Sequence, residues 1–125
     1  MLTKILIILN NKKLKIYFAD FWPNFKFDDN YFFNLLSTRY TLDITSENPD
    51  LLIHSVDYSG SSEFQNFKNK NTKKIFFTGE NTKPDYNKTD YSLSFQEYEE
   101  NRNYRLPLWV LYIDWFNSKK DKQRD

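Results

Sequence analysis

The segment KKIFFTGENTKPDYN (Lys73–Asn87) contains the clearest strand end in the sequence. Its apolar run is typical of a buried strand and stops at Thr78-Gly79. One carboxylate, Glu80, follows at once, with a long polar stretch behind it. In parallel α/β sheets, ligands bind where strand carboxyl ends meet the connecting loops, and glycine permits turns that other residues resist. This pattern predicts that Glu80 points into a crevice, although an ordinary turn carboxylate is the alternative.

Further short apolar segments on both sides of this strand predict a sheet. The expected strands cover Leu14–Ala19, Tyr40–Ile44, Leu51–Val56, Lys74–Phe77 and Tyr91–Phe95. Strands that alternate with helical or covering segments favour a parallel α/β sheet with flanking helices, and no internal repeat or linker interrupts the chain.

Three segments between or after these strands are predicted to be helical or to cover the sheet. Asp28 or Asp29 is suited to cap a helix, and the stretch 57–72 suits a short helix or a covering loop. Pro107 suits the first turn of a final helix. The apolar face of the first helix is expected to carry Phe32, Leu35, Leu36 and Tyr40, and that of the last helix Leu108, Leu111, Tyr112 and Trp115.

Composition excludes several classes of protein. The chain has 125 residues, which fits one domain, and 19% aromatic residues supply ample apolar area for a core. The net charge of +1 gives no electrostatic reason to expect nucleic acid as a partner. Because cysteine is absent, disulfides, thiol nucleophiles and Cys-ligated zinc are excluded, and no ligand cluster points to another metal.

The first residues raise the question of a membrane segment. The apolar run Ile5–Leu9 is far shorter than the roughly 20 residues that a span requires. Its main basic cluster follows the run instead of preceding it, unlike a signal peptide. We therefore expect a strand or a fraying terminal element, no transmembrane segment and no export signal. The expected location is cytoplasmic, or peripheral to a membrane through a partner.

Two longer stretches carry a resemblance to a known family. IFFTGENTKPDYNKTDYSLSFQ, followed by NRNYRLPLWVLY, resembles the amino-terminal half of the α-1,3/4-fucosyltransferases, glycosyltransferase family ten. The matching elements, in order, are Thr78-Gly79-Glu80-Asn81, Pro84, Asn87, Asp90-Tyr91, Phe95 and Arg105-Leu106-Pro107-Leu108. Upstream, KIYFADFWPNF and the segment from Asn30 to Val56 are similar to the family's first βαβ unit, so the resemblance covers Leu14–Tyr112.

The resemblance implies a Rossmann-like domain that is one half of a two-domain, GT-B type glycosyltransferase. In the family the amino-terminal half handles the acceptor, and the other half binds GDP-fucose. Glu80 matches the family's proposed general base for an inverting transfer of fucose onto a glycan hydroxyl, often of N-acetylglucosamine. No cofactor is implied, since GDP-fucose is expected to bind a domain absent from this sequence.

Departures from the family pattern accompany the match. Gln96 stands where Asp is usual, and Asn101 and Asn103 stand where relatives often have Asp and Tyr. The expected division is an acceptor-side domain over 1–116 and a charged tail over 117–125, where the missing donor domain would begin. Half of a cleft cannot hold the donor, so this chain alone is expected to transfer no fucose.

Other candidate site residues have two interpretations each. Trp22 and Phe25 could stack on a sugar ring or pack in the core. Asn81 could contact the acceptor or shape its loop. Arg105, like its neighbour Arg102, could meet a sugar, meet a partner domain or remain solvated. His54, the single histidine, is interpreted as a packed or edge residue.

Three functions compete at this point. The first is the acceptor-side half of a fucosyltransferase, working with a donor-binding domain or subunit and exposing an apolar docking face. The second is a stand-alone glycan-binding or regulatory module that kept the acceptor site. The third, a single-strand nucleic-acid binder, is disfavoured by the near-neutral charge.

Overall fold

The computed structural model describes residues 12–57, 60, 62–67, 71–97, 101–113 and 115–116. The expectations for Ile5–Leu9 and for the tail 117–125 lie outside these residues. Within these residues, six strands form one sheet in the order β2-β1-β3-β4-β5-β6, and every neighbouring pair is parallel. The strands are β1 (Lys12–Ala19), β2 (Tyr40–Ile44), β3 (Leu51–His54), β4 (Lys73–Thr78), β5 (Tyr91–Ser94) and β6 (Asn103–Arg105). The predicted parallel α/β sheet is confirmed.

The core lies on both faces of this sheet because neighbouring residues of a strand point to opposite sides. The larger cluster contains buried Ile16, Phe18, Ile53 and Phe77, together with Phe21 and Phe32 from outside the strands. A smaller cluster contains Ala19 and Leu52, from the same strands, and Phe67, from the segment between β3 and β4. Burial on both sides explains why the strands appear in the sequence as apolar runs.

Helix α1 (Tyr31–Leu36) crosses from β1 to β2. The prediction that Asp28 or Asp29 caps it was wrong: Asn30 is the N-cap, and its side-chain oxygen accepts a hydrogen bond from the Phe33 amide. Phe32 is buried as expected, but Leu35 is 45% exposed. Tyr40 belongs to β2, since the helix stops at Leu36.

The covering segment between β3 and β4 contains a 3₁₀ helix over Glu63–Phe67, as predicted for a short helix. Phe67 is buried under it. The Asp20 carboxylate, at the end of β1, accepts hydrogen bonds from the amides of Glu63 and Phe64 at 2.7 and 3.0 Å. This cap ties the covering segment to the sheet.

The final helix differs from the prediction. Pro107 precedes a 3₁₀ helix of five residues, Leu108–Tyr112, which ends where Ile113 adopts an extended conformation. The expected apolar face does not form: Leu111 packs against the larger cluster, but Leu108, Tyr112 and Trp115 are exposed. A 3₁₀ helix this short has no long stripe to bury. Among the described residues, no helix is long and apolar enough to cross a membrane.

Candidate active site

Since all strands are parallel, their carboxyl ends meet at one edge of the sheet. The turn Gly79-Glu80-Asn81 follows β4 at this edge, and Phe21-Trp22 follows β1. The 3₁₀ helix Leu108–Tyr112 follows β6 on the same side. The fold therefore brings the predicted carboxylate close to segments that lie far away in sequence.

The main chain of Glu80 is fixed by Thr78. The Thr78 side chain is fully buried, and its hydroxyl oxygen accepts a hydrogen bond from the Glu80 amide at 3.0 Å. The same hydroxyl lies 3.3 Å from the Glu80 carbonyl oxygen, to which it donates. Among the described residues the Glu80 carboxylate forms no hydrogen bond or ion pair, and the residue is exposed. The backbone is thus held while the carboxylate stays available.

Gly79 affects the site in a different way from the one predicted. Its φ lies outside the left-handed region, so the turn itself does not need glycine. A Cβ atom at this position would lie 2.8 Å from Leu108 Cδ1, too close for the two atoms to coexist without movement. Glycine therefore leaves room for the end of the Leu108 side chain against the end of β4.

A cavity of about 330 Å³ lies where these segments meet. Its lining consists of Trp22, Phe77, Gly79, Glu80, Leu108 and Tyr112. Trp22 is 36% exposed and Tyr112 is 70% exposed, so two aromatic rings stand beside the carboxylate with their surfaces accessible. This is the composition expected of a site that binds a ring with an apolar face and a reactive polar group.

Phe25 is not part of this lining. It stacks on Phe21 with ring centroids 4.1 Å apart and meets the Trp22 ring edge-on at 5.2 Å. Phe25 is half-buried against the larger cluster and, with Trp22, lines a separate cavity of about 240 Å³. Its position corresponds to the core-packing alternative, in which it supports Trp22.

Asn81 and Arg105 also lie outside the lining of the Glu80 cavity. The Asn81 side-chain oxygen accepts a hydrogen bond from the Gln96 amide, which links the loops after β4 and β5. Arg105 is exposed, and its Nε donates to the Phe95 carbonyl at 3.1 Å. Both side chains shape the loops beside the cavity.

Sequence reasoning missed Tyr112 and Leu108 as lining residues, because helical spacing assigned them to a core face. The two side chains would face the core in a long α-helix, but the 3₁₀ helix ends at Tyr112. No residue pattern in the sequence marks this early end. Among the described residues, no group of three or more His, Cys, Asp or Glu side chains could hold a metal ion.

The exposed carboxylate and the aromatic rings beside it lie at the carboxyl edge of a parallel sheet, where α/β domains bind their ligands. The family model of the α-(1,3)-fucosyltransferase FucT N-terminal domain matches residues 16–112. Because this match covers most of the chain, the protein belongs to that family. The resemblance drawn from the sequence is confirmed.

The relatives that this chain matches are much longer than the chain itself. The chain is 30% identical over 119 residues to the α-(1,3)-fucosyltransferase FucT of Helicobacter pylori, covering 90% of this chain and 24% of that protein. A solved α1,3-fucosyltransferase matches with a TM-score of 0.64 and 30% identity, over 81% of this chain and 30% of its own. An α1,3-fucosyltransferase solved with GDP-fucose matches with a TM-score of 0.58 and 30% identity, over 79% and 28%. The chain thus spans about a quarter of the curated relative.

Proposed function

We propose that this chain is the acceptor-side half of an inverting fucosyltransferase, which moves fucose from GDP-fucose to a hydroxyl group of a glycan. The observation that carries the proposal is the Glu80 carboxylate, held by its backbone beside Trp22 in one cavity. Membership of the fucosyltransferase family supports the reaction and the donor.

The chemistry assigns a role to each group. Inverting transfer in one step needs a single carboxylate to take the proton of the attacking hydroxyl. Glu80 accepts that proton while the hydroxyl oxygen bonds to C1 of fucose. The bond from C1 to the phosphate oxygen breaks, and GDP leaves with the electron pair. The Trp22 ring stacks on the apolar face of the acceptor sugar, for example N-acetylglucosamine, and orients its hydroxyl.

The GDP-fucose site is assigned to a donor half, supplied by a longer polypeptide or by a separate subunit. Exposed aromatic and aliphatic side chains after β6 support a docking face for it. These are Leu108, Trp109, Tyr112, Trp115 and Phe116. No cofactor or metal takes part in this mechanism.

A chimaera tests the proposal. Residues 16–112 replace the matching segment of the H. pylori relative, and fucose transfer from GDP-fucose to N-acetyllactosamine is measured. Glu80→Gln is expected to lower kcat by about 100-fold or more, since general bases contribute on that order, with little change in acceptor KM. Glu47→Gln, an exposed change in the turn before β3, is the matched control. An active chimaera that keeps most of its kcat after Glu80→Gln would refute the base role.

A stand-alone glycan-binding module is the second candidate. It is favoured by the exposed Trp22 ring beside Glu80 in one cavity, an arrangement that suits a sugar ring without requiring a donor nucleotide. This function predicts weak binding of N-acetylglucosamine-containing glycans that is lost in Trp22→Ala, together with a chimaera that transfers no fucose. Both candidates predict glycan binding that depends on Trp22, so fucose transfer by the chimaera separates them, and calorimetric titration of the 125-residue chain and its Trp22→Ala variant tests the binding site that they share.

A further inference from the structure

A second cavity lies on the opposite face of β4 from the Glu80 cavity. Phe77 lines the Glu80 cavity, whereas its neighbour Phe76 lines the second one, because adjacent strand residues point to opposite sides. The second cavity has a volume of about 320 Å³, within the range of small-molecule sites. It is formed by the loops after β3 and β4 and by the 3₁₀ helix Glu63–Phe67.

Aromatic rings make the wall of this cavity. His54 stacks on Phe64 with ring centroids 4.3 Å apart, and its ring centroid lies 5.3 Å from that of Phe76. Phe64 is only half-buried, so part of the wall faces the opening. Such a wall suits a ring with an apolar face.

His54 has a second ring nitrogen that is available for hydrogen bonding. Its Nε2 lies 3.1 Å from the Thr89 hydroxyl, which is also within reach of the carbonyls of Lys74 and Tyr91. Nε2 donates to Thr89 in one tautomer of the ring and accepts from it in the other. Nδ1 accordingly offers a lone pair in the first tautomer and an N–H in the second. It has no partner among the described residues and is not fully buried.

Both donors and acceptors surround the opening. The ammonium groups of Lys83 and Lys88 are exposed and form no ion pair within the described part of the chain. Asp57, Asp85 and Asp20 also line the cavity, and each accepts hydrogen bonds from the protein. This mixture gives no preference for a strongly charged ligand.

We propose that this second cavity binds a neutral sugar ring, namely a unit of the acceptor glycan remote from the reacting hydroxyl. A sugar ring has an apolar face for the aromatic wall. Its hydroxyls both donate and accept, so they can pair with His54 Nδ1 in either tautomer and accept from the lysines. The choice of a sugar over other hydroxylated rings rests on the proposed function. One face of the loop 79–89 contributes Glu80 to the first cavity, and the other contributes Thr82, Lys83 and Asp85 to the second. A bound sugar therefore steadies the loop that carries Glu80.

Titration of the isotope-labelled 125-residue chain with N-acetyllactosamine, followed by NMR, tests the proposal. His54 is the single histidine, so its ring nitrogens give an unambiguous signal for the second cavity. The Trp22 indole reports on the Glu80 cavity. We expect the His54 Nδ1 resonance and the Phe64 amide to shift, with the same dissociation constant in wild type and in Trp22→Ala.

Paired lysine variants provide the control. Lys83→Ala with Lys88→Ala is expected to weaken binding at the second cavity about fivefold, as loss of an ordinary hydrogen bond would. Lys12→Ala with Lys73→Ala removes two exposed lysines at the amino ends of β1 and β4 and should change nothing. Shifts at Trp22 without shifts at His54 would overturn the second site and leave the proposed function standing. Absence of both shifts, or equal weakening by the two lysine pairs, would also overturn it.

Discussion

Thr78 shows how a single residue prepares Glu80 for proton transfer. The buried hydroxyl fixes the Glu80 backbone, and the carboxylate remains free of partners among the described residues. A base that is already hydrogen-bonded must break that contact before it reaches its substrate, whereas a free carboxylate on a fixed backbone needs only a side-chain rotation. Gly79 completes the arrangement by admitting Leu108 to the cavity wall.

His54 is expected to make the fold sensitive to acid. Burial, with a smaller contribution from the nearby charge of Lys74, lowers the pKa of His54 from 6.5 to about 4. The unfolded chain therefore binds a proton between pH 6.5 and about 4 that the folded chain does not. The contribution of His54 to the free energy of unfolding is complete above pH 6.5. It is lost as the pH falls through this window, which lowers the free energy of unfolding by roughly 3 kcal/mol.

Urea denaturation at several pH values, on wild type and on His54→Phe, measures this effect. The variant keeps an aromatic ring against Phe64 but cannot titrate. We expect the slope between pH 6.5 and pH 4 to be shallower in the variant, with the remaining slope due to carboxylates. Equal slopes would show that His54 contributes nothing to acid sensitivity.

Among the elements, the predicted strands form with small differences at their ends, because apolar runs bounded by polar turns are a strong signal. Helix α1 begins later than predicted, because its N-cap is Asn30 and not Asp28 or Asp29. Strand β6 was missed because its three residues, Asn103–Arg105, contain no apolar run. Side-chain hydrogen bonds help to hold this strand against β5. No residue pattern in the sequence predicts them.

Asn103 is expected to secure β6 to β5. Its side-chain oxygen accepts hydrogen bonds from Ser92 and Ser94 at 2.7 and 3.0 Å, and its amide donates to the Gln96 carbonyl at 3.0 Å. Both serines are buried; without Asn103, Ser92 keeps the Tyr86 hydroxyl and Ser94 keeps the Gln96 carbonyl, but the three hydrogen bonds of the Asn103 side chain are lost. Asn103→Ala should lower the free energy of unfolding by about 1–3 kcal/mol.

Thermal and urea denaturation check this value. Asn101→Ala, in the exposed turn just before β6, removes the same side chain and should cost less than about 0.5 kcal/mol. A similar loss in both variants would mean that Asn103 has no special role in the sheet.

At the scale of the whole molecule, alternation of strands with covering segments was sufficient to predict a parallel sheet. Parallel order in turn predicted that Glu80, at the carboxyl end of a strand, faces a crevice. That Trp22 lines the same cavity is a finding of the structure. The family resemblance identified Glu80 itself. The partners that complete the cavity were beyond prediction, because the position of Tyr112 depends on how a five-residue 3₁₀ helix packs against Gly79.

The 125-residue chain on its own is expected to transfer no fucose. It corresponds to 24% of the H. pylori relative and to 30% of a solved fucosyltransferase, and the proposed donor site lies outside it. Incubation with GDP-fucose and N-acetyllactosamine, followed by chromatography of GDP, should show release at the level of the Glu80→Gln variant. Release that exceeds this level and depends on Glu80 would contradict the assignment of the donor to another half.

The order of the strands along the chain affects how the sheet forms during synthesis on the ribosome. The paired residues of β1 and β3 are 35 positions apart in sequence (Ile16 and Leu51). This separation is 16 positions for β4 and β5 (Ile75 and Tyr91) and 11 for β5 and β6 (Ser92 and Asn103). Synthesis starts at the amino terminus, so β1, β2 and β3 can pair before β4, β5 and β6 have emerged. Each later strand then docks on a finished edge as it emerges. We therefore expect the nascent chain to extend its sheet in one direction, with the Glu80 loop closing only when β5 has docked.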